Sequence, residues 1–168
     1  IGYGSKKFKV HWPNKARLAV QIVLNYEEGA ENSVLNGDKH SENFLSEIIG
    51  AKPIKGRNVN MEWLYEYGSR RGFWRLHELF QKKKIPITIF GVGMALEKNP
   101  EICRAIKEAD YEVASHGWRW IDYQNIKKPI EKKHMKLAID KIKKIFGKRP
   151  LGLYTGRCSP NTRDLVFE

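Results

Sequence analysis

This 168-residue chain lacks the features that mark disulfide-rich, membrane-embedded or repetitive proteins. It has two cysteines, which in a chain of this size do not indicate a disulfide framework. Its longest apolar run, around residues 18–24, is the length of a strand and far shorter than a membrane span. Residues 1–7 contain no apolar signal-peptide core. These absences lead us to expect a cytoplasmic protein in a reduced state that does not associate with a membrane.

Acidic side chains are scarce beside basic ones. The 19 Asp and Glu residues face 31 Lys and Arg residues, which gives a formal net charge of +12. Such an excess would suit a nucleic-acid partner. The lysines, however, are scattered over predicted helix ends and polar helix faces, without the interleaved aromatic residues of a binding groove. We therefore expect a solvated basic surface and no specific nucleic-acid partner.

Strand and helix patterns alternate along the chain. Short aliphatic and β-branched runs predict four strands, at residues 17–25, 85–90, 111–115 and 150–155. Apolar residues at helical spacing predict helices at residues 41–49, 61–84, 99–109 and 130–146, with a last helix beginning near Ser159. Asn99 and Pro100 are expected to start one helix, and Gly147 to end another. A chain of this length and composition can bury one core, so residues 1–168 are expected to form a single domain.

Repeated strand-helix units of this length imply an α/β fold with a parallel sheet, either doubly wound or a (β/α) barrel. In both folds the functional residues lie where the strands end. The first strand ends in NYEEG at residues 25–29, the third in HGWRW at residues 116–120, and the fourth leads to Arg157. The sequence therefore predicts a site at one rim of the sheet. The long connection over residues 29–60 is expected to lie on that rim as a lid or a subunit contact.

Five motifs carry a family resemblance that extends over nearly the whole chain. They are VLNYEEG (23–29), YEYGSR (65–70), GFWR (72–75), ASHGWRWIDY (114–123) and YTGR (154–157). Together they resemble the polysaccharide deacetylase (NodB homology) superfamily, and most of all its allantoinase-like branch. The resemblance implies part of a distorted (β/α) barrel with about four βα units. It also implies hydrolysis of a non-peptide C–N bond, usually through a divalent metal held by an Asp and two His.

The chain departs from the superfamily pattern at the metal ligands. The usual pair of aspartates is replaced by Glu27 and Glu28, and the second metal histidine is replaced by Trp120. Indole has an N–H donor and no lone pair for a metal, and a catalytic zinc site normally needs three protein ligands. We therefore expect that no cofactor is required. The alternative is zinc or another divalent metal held by Glu28 and His116, with Glu27 as a further ligand.

Without a metal, the protein itself has to activate water by acid/base catalysis. Glu28 is the first choice as general base, because it occupies the position of the superfamily's metal ligand, and Glu27 is the second. Neighbouring carboxylates that both pointed inward could raise one pKa toward the working pH, although strand alternation opposes that orientation. His116 is expected to protonate the leaving nitrogen or to polarise the carbonyl group.

Four further residues are expected to bind the substrate. A planar guanidinium suits a carbonyl or oxyanion, which gives Arg157 that role. Trp118 and Trp120 are expected to wall a pocket for a small flat ring, with Tyr26 beside it. The predicted function is therefore the allantoinase-like opening of a small cyclic amide. The rival enzyme function is metal-dependent N-deacetylation of a carbohydrate.

The resemblance also raises a question about completeness, because the superfamily's barrel needs about seven or eight strands. The chain ends in the helix after its fourth predicted strand, which implies a domain cut short at its C-terminus. Half a barrel would leave sheet edges unpaired. Three outcomes are open: a second half is missing from this sequence, two half barrels pair, or the chain is a noncatalytic remnant. We expect a homo-oligomer.

Overall fold

The computed structural model of the chain describes residues 4–6 and 9–168, and a parallel three-stranded sheet forms its centre. The strands lie side by side in chain order: β1 Val23–Tyr26, β2 Thr88–Gly91 and β3 Glu112–Ser115. The register pairs Tyr26 with Gly91 and Gly91 with Ser115, so all three strands end level with one another. The α/β class and the parallel sheet predicted from the sequence are confirmed.

Six α-helices follow the first strand in the described part of the chain. They are α1 Val59–Tyr67, α2 Phe73–Lys83, α3 Gly93–Lys98, α4 Pro100–Glu108, α5 Lys128–Phe146 and α6 Thr162–Phe167. A π-helical segment, Gly68–Gly72, joins α1 to α2 and interrupts the helix predicted over residues 61–84. Short 3-10 turns occur at Pro13–Lys15 and Val34–Asn36. No helix in the described ranges combines the length and the apolar character needed to cross a bilayer.

Helix ends with strong local signals lie where the sequence places them. The Asn99 side chain accepts a hydrogen bond from the Ile102 N–H at 3.2 Å, and Pro100 occupies the first position of α4. Gly147 follows α5 with a φ of 79°, a left-handed conformation that glycine adopts without strain. Both helix ends depend on residues that are neighbours in the sequence, and this explains why the sequence pattern predicts them.

Several predicted boundaries were wrong. The first strand starts at Val23 instead of residue 17, since Leu18 and Val20 are exposed and lie outside the ladder. The fourth strand is reduced to a single parallel bridge between Ser115 and Leu153. The predicted helix at residues 41–49 is a series of turns, and α3 was not predicted. In the turns the Glu42 carboxylate accepts the backbone N–H groups of the next two residues, which competes with helix formation.

An apolar core fills the space between the sheet and the helices α3, α4 and α5. Its most completely buried members are 0–1% exposed: Ile89, Val92, Leu96, Ile102, Ile106 and Ile142. Gly93, at the start of α3, allows a close approach in this layer. A Cβ at that position would lie 2.8 Å from the Trp118 ring and 3.2 Å from the Ala138 Cα. This packing holds the loop after β3 against the helical layer.

Candidate active site

His116 directly follows β3 and lies at the level rim where the three strands end. It is 6% exposed, and its backbone N–H donates to the Gly91 carbonyl at 2.9 Å. The Tyr154 ring stacks on the imidazole, with centroids 5.4 Å apart and planes inclined by 17°. Gly117 has a φ of 83° and turns the chain immediately after the histidine. The imidazole is therefore held in one orientation by its surroundings.

Both imidazole nitrogens have partners, and these partners determine where the protons lie. Nδ1 contacts the Tyr154 carbonyl oxygen at 2.7 Å, so Nδ1 is the donor, because a carbonyl oxygen can only accept. Nε2 contacts the Glu27 Oε1 at 2.8 Å. One further proton is shared across that contact, either as an imidazolium-carboxylate ion pair or as a neutral imidazole with a carboxylic acid. His116 and Glu27 therefore form a coupled acid/base pair.

The two neighbouring glutamates point in different directions. Asn25 and Glu27 share one side of the chain, and the Asn25 Nδ2 donates to the Glu27 Oε1 at 3.0 Å. Glu28 turns instead toward the π-helical segment, where a Cβ on Gly68 would lie 2.0 Å from its Oε1. Its Oε2 accepts the Glu27 N–H at 3.1 Å, and burial raises the pKa of the Glu28 carboxyl. The structure thus brings Glu27, and not Glu28, into contact with His116.

Trp120 and Arg157 form a second part of the rim. The Arg157 guanidinium carbon lies 4.9 Å from the Trp120 ring centroid and 5.5 Å from that of Phe44. The Trp120 ring also packs edge-on against Tyr65, with centroids 6.0 Å apart. The Arg157 Nη1 donates to the Glu42 Oε2 at 3.1 Å. The guanidinium is therefore fixed over a flat aromatic surface.

Two residues predicted to bind substrate lie elsewhere. Tyr26 is 2% exposed and packs edge-on against Phe73, with ring centroids 5.9 Å apart, inside the apolar core. Strand alternation explains this position, because Tyr26 lies between Asn25 and Glu27 and points to the opposite face. Trp118 packs over Gly93 at the start of α3. The structure brings neither ring to the imidazole of His116.

Three contributors to the rim were not singled out from the sequence. Tyr154 acts through its backbone carbonyl and its stacked ring, neither of which leaves a sequence signal. Glu42 lies in the segment that was misread as a helix, and it is 5% exposed. The hydroxyl of Tyr65 donates to the Phe44 carbonyl at 2.9 Å, and burial, followed by the charge of Glu42, raises its pKa above the ordinary tyrosine range. Tyr65 therefore remains a neutral donor.

The side chains of the rim do not fit the divalent metal that the resemblance implies. Across residues 4–6 and 9–168, no group of three or more His, Cys, Asp and Glu side chains is arranged to hold an ion. The position of the second histidine is occupied by the Trp120 ring, which is packed against Tyr65 and Arg157. The His116 Nε2 is already paired with Glu27. This donor set falls short of the three ligands of a catalytic zinc site.

A parallel sheet whose strand ends carry a histidine and glutamates, with an arginine near the same rim, defines an α/β protein with a candidate site at that rim. Residues 60–163 match the sequence pattern of the family described as Polysaccharide deacetylase, and the chain belongs to that family. A candidate polysaccharide deacetylase of Schizosaccharomyces pombe is 45% identical over 162 residues, which cover 94% of this chain and 50% of that protein.

Two solved structures share the fold closely. The crystal structure of PuuE allantoinase is 54% identical with a TM-score of 0.93, covering 98% of this chain and 55% of that one. The structure of a candidate polysaccharide deacetylase from Pseudomonas aeruginosa PAO1 is 52% identical, with the same TM-score and coverage. The chain thus spans about half the length of these relatives. They confirm the family resemblance and the fold class predicted from the sequence.

Proposed function

We propose that this chain carries the acid/base machinery of a hydrolase that opens a small cyclic amide, as in the ring opening of allantoin. The observation that carries this proposal is the 2.8 Å contact between the His116 Nε2 and the Glu27 Oε1 at the strand-end rim. The 54% identity to PuuE allantoinase supports the substrate class. The chain spans about half the length of these relatives, so their whole-protein activity comes to it as part of this proposal.

In the proposed reaction, Glu27 is the general base. Its carboxylate takes a proton from water as the water oxygen attacks the amide carbonyl carbon. His116 gives its Nε2 proton to the leaving nitrogen as the C–N bond breaks, so the product gains one water molecule across that bond. The proton on Glu27 then returns to His116 across their hydrogen bond. The Tyr154 carbonyl keeps Nδ1 protonated throughout.

This assignment differs from the expectation that Glu28 is the first-choice base. The Glu28 carboxylate accepts the Glu27 N–H and packs against Gly68, so it supports the backbone of the base. Burial is the main cause that raises the pKa of the Glu28 carboxyl, so this group stays protonated to a higher pH than an ordinary glutamate does. We therefore propose Glu28 as a supporting residue and Glu27 as the base.

Substrate binding is proposed for Arg157 and Trp120. One Arg157 nitrogen donates to Glu42, and the planar guanidinium carries further N–H donors that suit a carbonyl oxygen or a developing oxyanion. The Trp120 ring beside it offers a flat surface for a planar hydantoin-type ring. We propose that the reaction needs no metal, because the donor set around His116 does not supply three ligands.

Metal-dependent N-deacetylation of a carbohydrate is the second candidate, favoured by the family match over residues 60–163. The two functions are separated by assaying the purified chain against allantoin and against an N-acetylated oligosaccharide, each with and without a chelator. We expect hydrolysis of allantoin that the chelator leaves unchanged. Chelator-sensitive deacetylation would support the second candidate, and a folded chain inactive on both substrates would contradict both.

A further inference from the structure

Glu27 and His116 meet although the strands that carry them are not neighbours. Glu27 follows β1 and His116 follows β3, and β2 lies between these strands in the sheet. Strands separated by one neighbour lie roughly 10 Å apart, and no ladder hydrogen bond joins them. The contact between Glu27 and His116 therefore depends on how the two loops above β2 are held together.

Arg119 joins these two loops. It lies three residues after His116, and its side chain is 12% exposed. Its Nε donates to the Ala30 carbonyl at 3.0 Å, and its Nη2 donates to the Glu31 carbonyl at 3.0 Å. Nη2 also contacts the Asp38 Oδ2 at 2.6 Å. One guanidinium thus binds the backbone at Ala30 and Glu31 and the Asp38 carboxylate, all within the connection between β1 and α1.

Other groups complete the same connection. The backbone N–H of Trp120 donates to the Ala30 carbonyl at 3.0 Å. The Lys98 Nζ donates to the Gly29 carbonyl and to the Asn36 Oδ1, each at 2.6 Å. The Asp38 Oδ2 also accepts the Ser33 N–H at 2.9 Å. Arg119 is the side chain in this set that reaches from the loop after β3 to Ala30, Glu31 and Asp38 in the connection after β1.

The geometry requires an arginine at this position. A guanidinium presents several N–H donors in one plane, which is how Arg119 serves two carbonyls and a carboxylate together. A lysine would keep the charge but would place a single nitrogen where three acceptors lie apart. Ala30 is 0% exposed, so water does not freely replace a lost Arg119 donor, and the Ala30 carbonyl would keep only the Trp120 backbone N–H.

We propose that Arg119 is a positioning residue that sets the Glu27–His116 contact by tying the loop after β1 to the loop after β3. Its expected effect on turnover rests on the proposed function, whereas its effect on the His116 imidazole does not. Arg119 does not touch the reacting atoms in this account. It acts through the backbone of Ala30 and Glu31.

The test compares three variants of the chain: Arg119→Lys, Asp38→Asn and, as a matched control, Arg70→Lys. Arg70 is an exposed arginine paired with Glu66 on the helical surface. The first readout is the NMR signal of the ¹⁵N-labelled His116 ring, assigned with His116→Gln and calibrated with Glu27→Gln. The second readout is kcat and KM for allantoin, and circular dichroism checks that each variant is folded.

We expect Arg119→Lys to shift the His116 Nε2 signal toward its value in Glu27→Gln and to lower kcat about tenfold to a hundredfold, as small misplacements of catalytic groups do. KM should change less than about twofold, because the Arg119 side chain contacts Ala30, Glu31 and Asp38 and not the side chains of Trp120 or Arg157. Asp38→Asn should give a smaller change in the same direction, because the bonds to Ala30 and Glu31 remain. Arg70→Lys should match the wild type.

A folded Arg119→Lys variant with a wild-type His116 signal would overturn the inference. If that variant does not fold, Asp38→Asn decides, and a wild-type His116 signal there would overturn it equally. An inactive wild-type chain would count against the proposed function only, since the NMR readout needs no turnover. Burial, followed by the charge of Arg119, lowers the pKa of His134. Signal shifts confined to His134 would therefore count against the inference.

Discussion

The helix-facing side of the sheet and the rim where its strands end are stabilised in different ways. On the helix-facing side, aliphatic side chains such as Ile89, Ile106 and Ile142 pack together in the apolar core. At the rim, buried or half-buried polar side chains contact specific partners, as His116 contacts Glu27 and Arg157 contacts Glu42. The comparison teaches that the core supplies stability through shape and area, whereas the rim uses specific partners that only certain residue types can satisfy.

The largest change in stability is expected from the core. Ile106 is 0% exposed, so Ile106→Ala should lower the free energy of unfolding by about 2–5 kcal/mol through lost burial and the cavity left behind. The matched change Ile130→Ala, at a residue 47% exposed on α5, should cost less than about 1 kcal/mol. Urea denaturation of both variants measures the difference. Equal losses would break the assignment of stability to this core.

An intermediate effect is expected at the rim partner Glu42. Glu42→Gln weakens the bonds to Arg157 and to the Asn43 and Phe44 N–H groups, and should cost about 1–3 kcal/mol. It should also raise KM, because the Arg157 guanidinium loses its anchor over Trp120. Glu47→Gln, at an exposed position in the same segment, is the control. A Glu42→Gln variant with wild-type stability and KM would show that the rim pairs are not specific.

The smallest effect is expected in the pH dependence of that same pair. Burial alone would raise the pKa of Glu42, but the Phe44 and Asn43 N–H groups, followed by Arg157 and Asn32, outweigh it and lower the pKa below the usual 4.5. The stability that this carboxylate contributes is therefore complete above about pH 4.5 and disappears as pH falls through its lowered pKa.

Unfolding curves of the wild type and Glu42→Gln between pH 7 and pH 3 measure this contribution. The difference in unfolding free energy between the two proteins should be largest near neutral pH and should shrink on acidification. A difference that grows toward low pH would contradict the lowered pKa of Glu42.

The parts of the molecule predicted from the sequence are those with local causes. The Asn99 cap, the end of α5 at Gly147 and the meeting of strand ends at one rim follow from neighbouring residues and from parallel topology. The prediction failed where the local structure depends on a backbone group or on a residue distant in sequence. The Glu42 carboxylate accepts the Asn43 N–H and also binds Arg157, 115 residues away. These contacts favour turns in place of the helix expected at residues 41–49.

The candidate site shows the same division. The sequence singled out His116, both glutamates, Arg157 and Trp120 as rim residues, and the structure gathers them there except for the turned carboxylate of Glu28. The sequence could not show which glutamate faces the imidazole. Neighbouring residues of an extended segment point in opposite directions, and the sequence does not show which of the two points toward His116. The Tyr154 carbonyl that fixes the imidazole is backbone, and no residue type marks it.

We propose that Glu27, paired with His116, is the general base. The most direct test of this role is kcat for allantoin hydrolysis by Glu27→Gln, compared with Glu28→Gln, in samples shown to be folded. We expect a loss of about 10²–10⁴-fold for Glu27→Gln, the usual contribution of a general base, and a clearly smaller loss for Glu28→Gln. Near-wild-type turnover by Glu27→Gln, or a larger loss in Glu28→Gln, would contradict it.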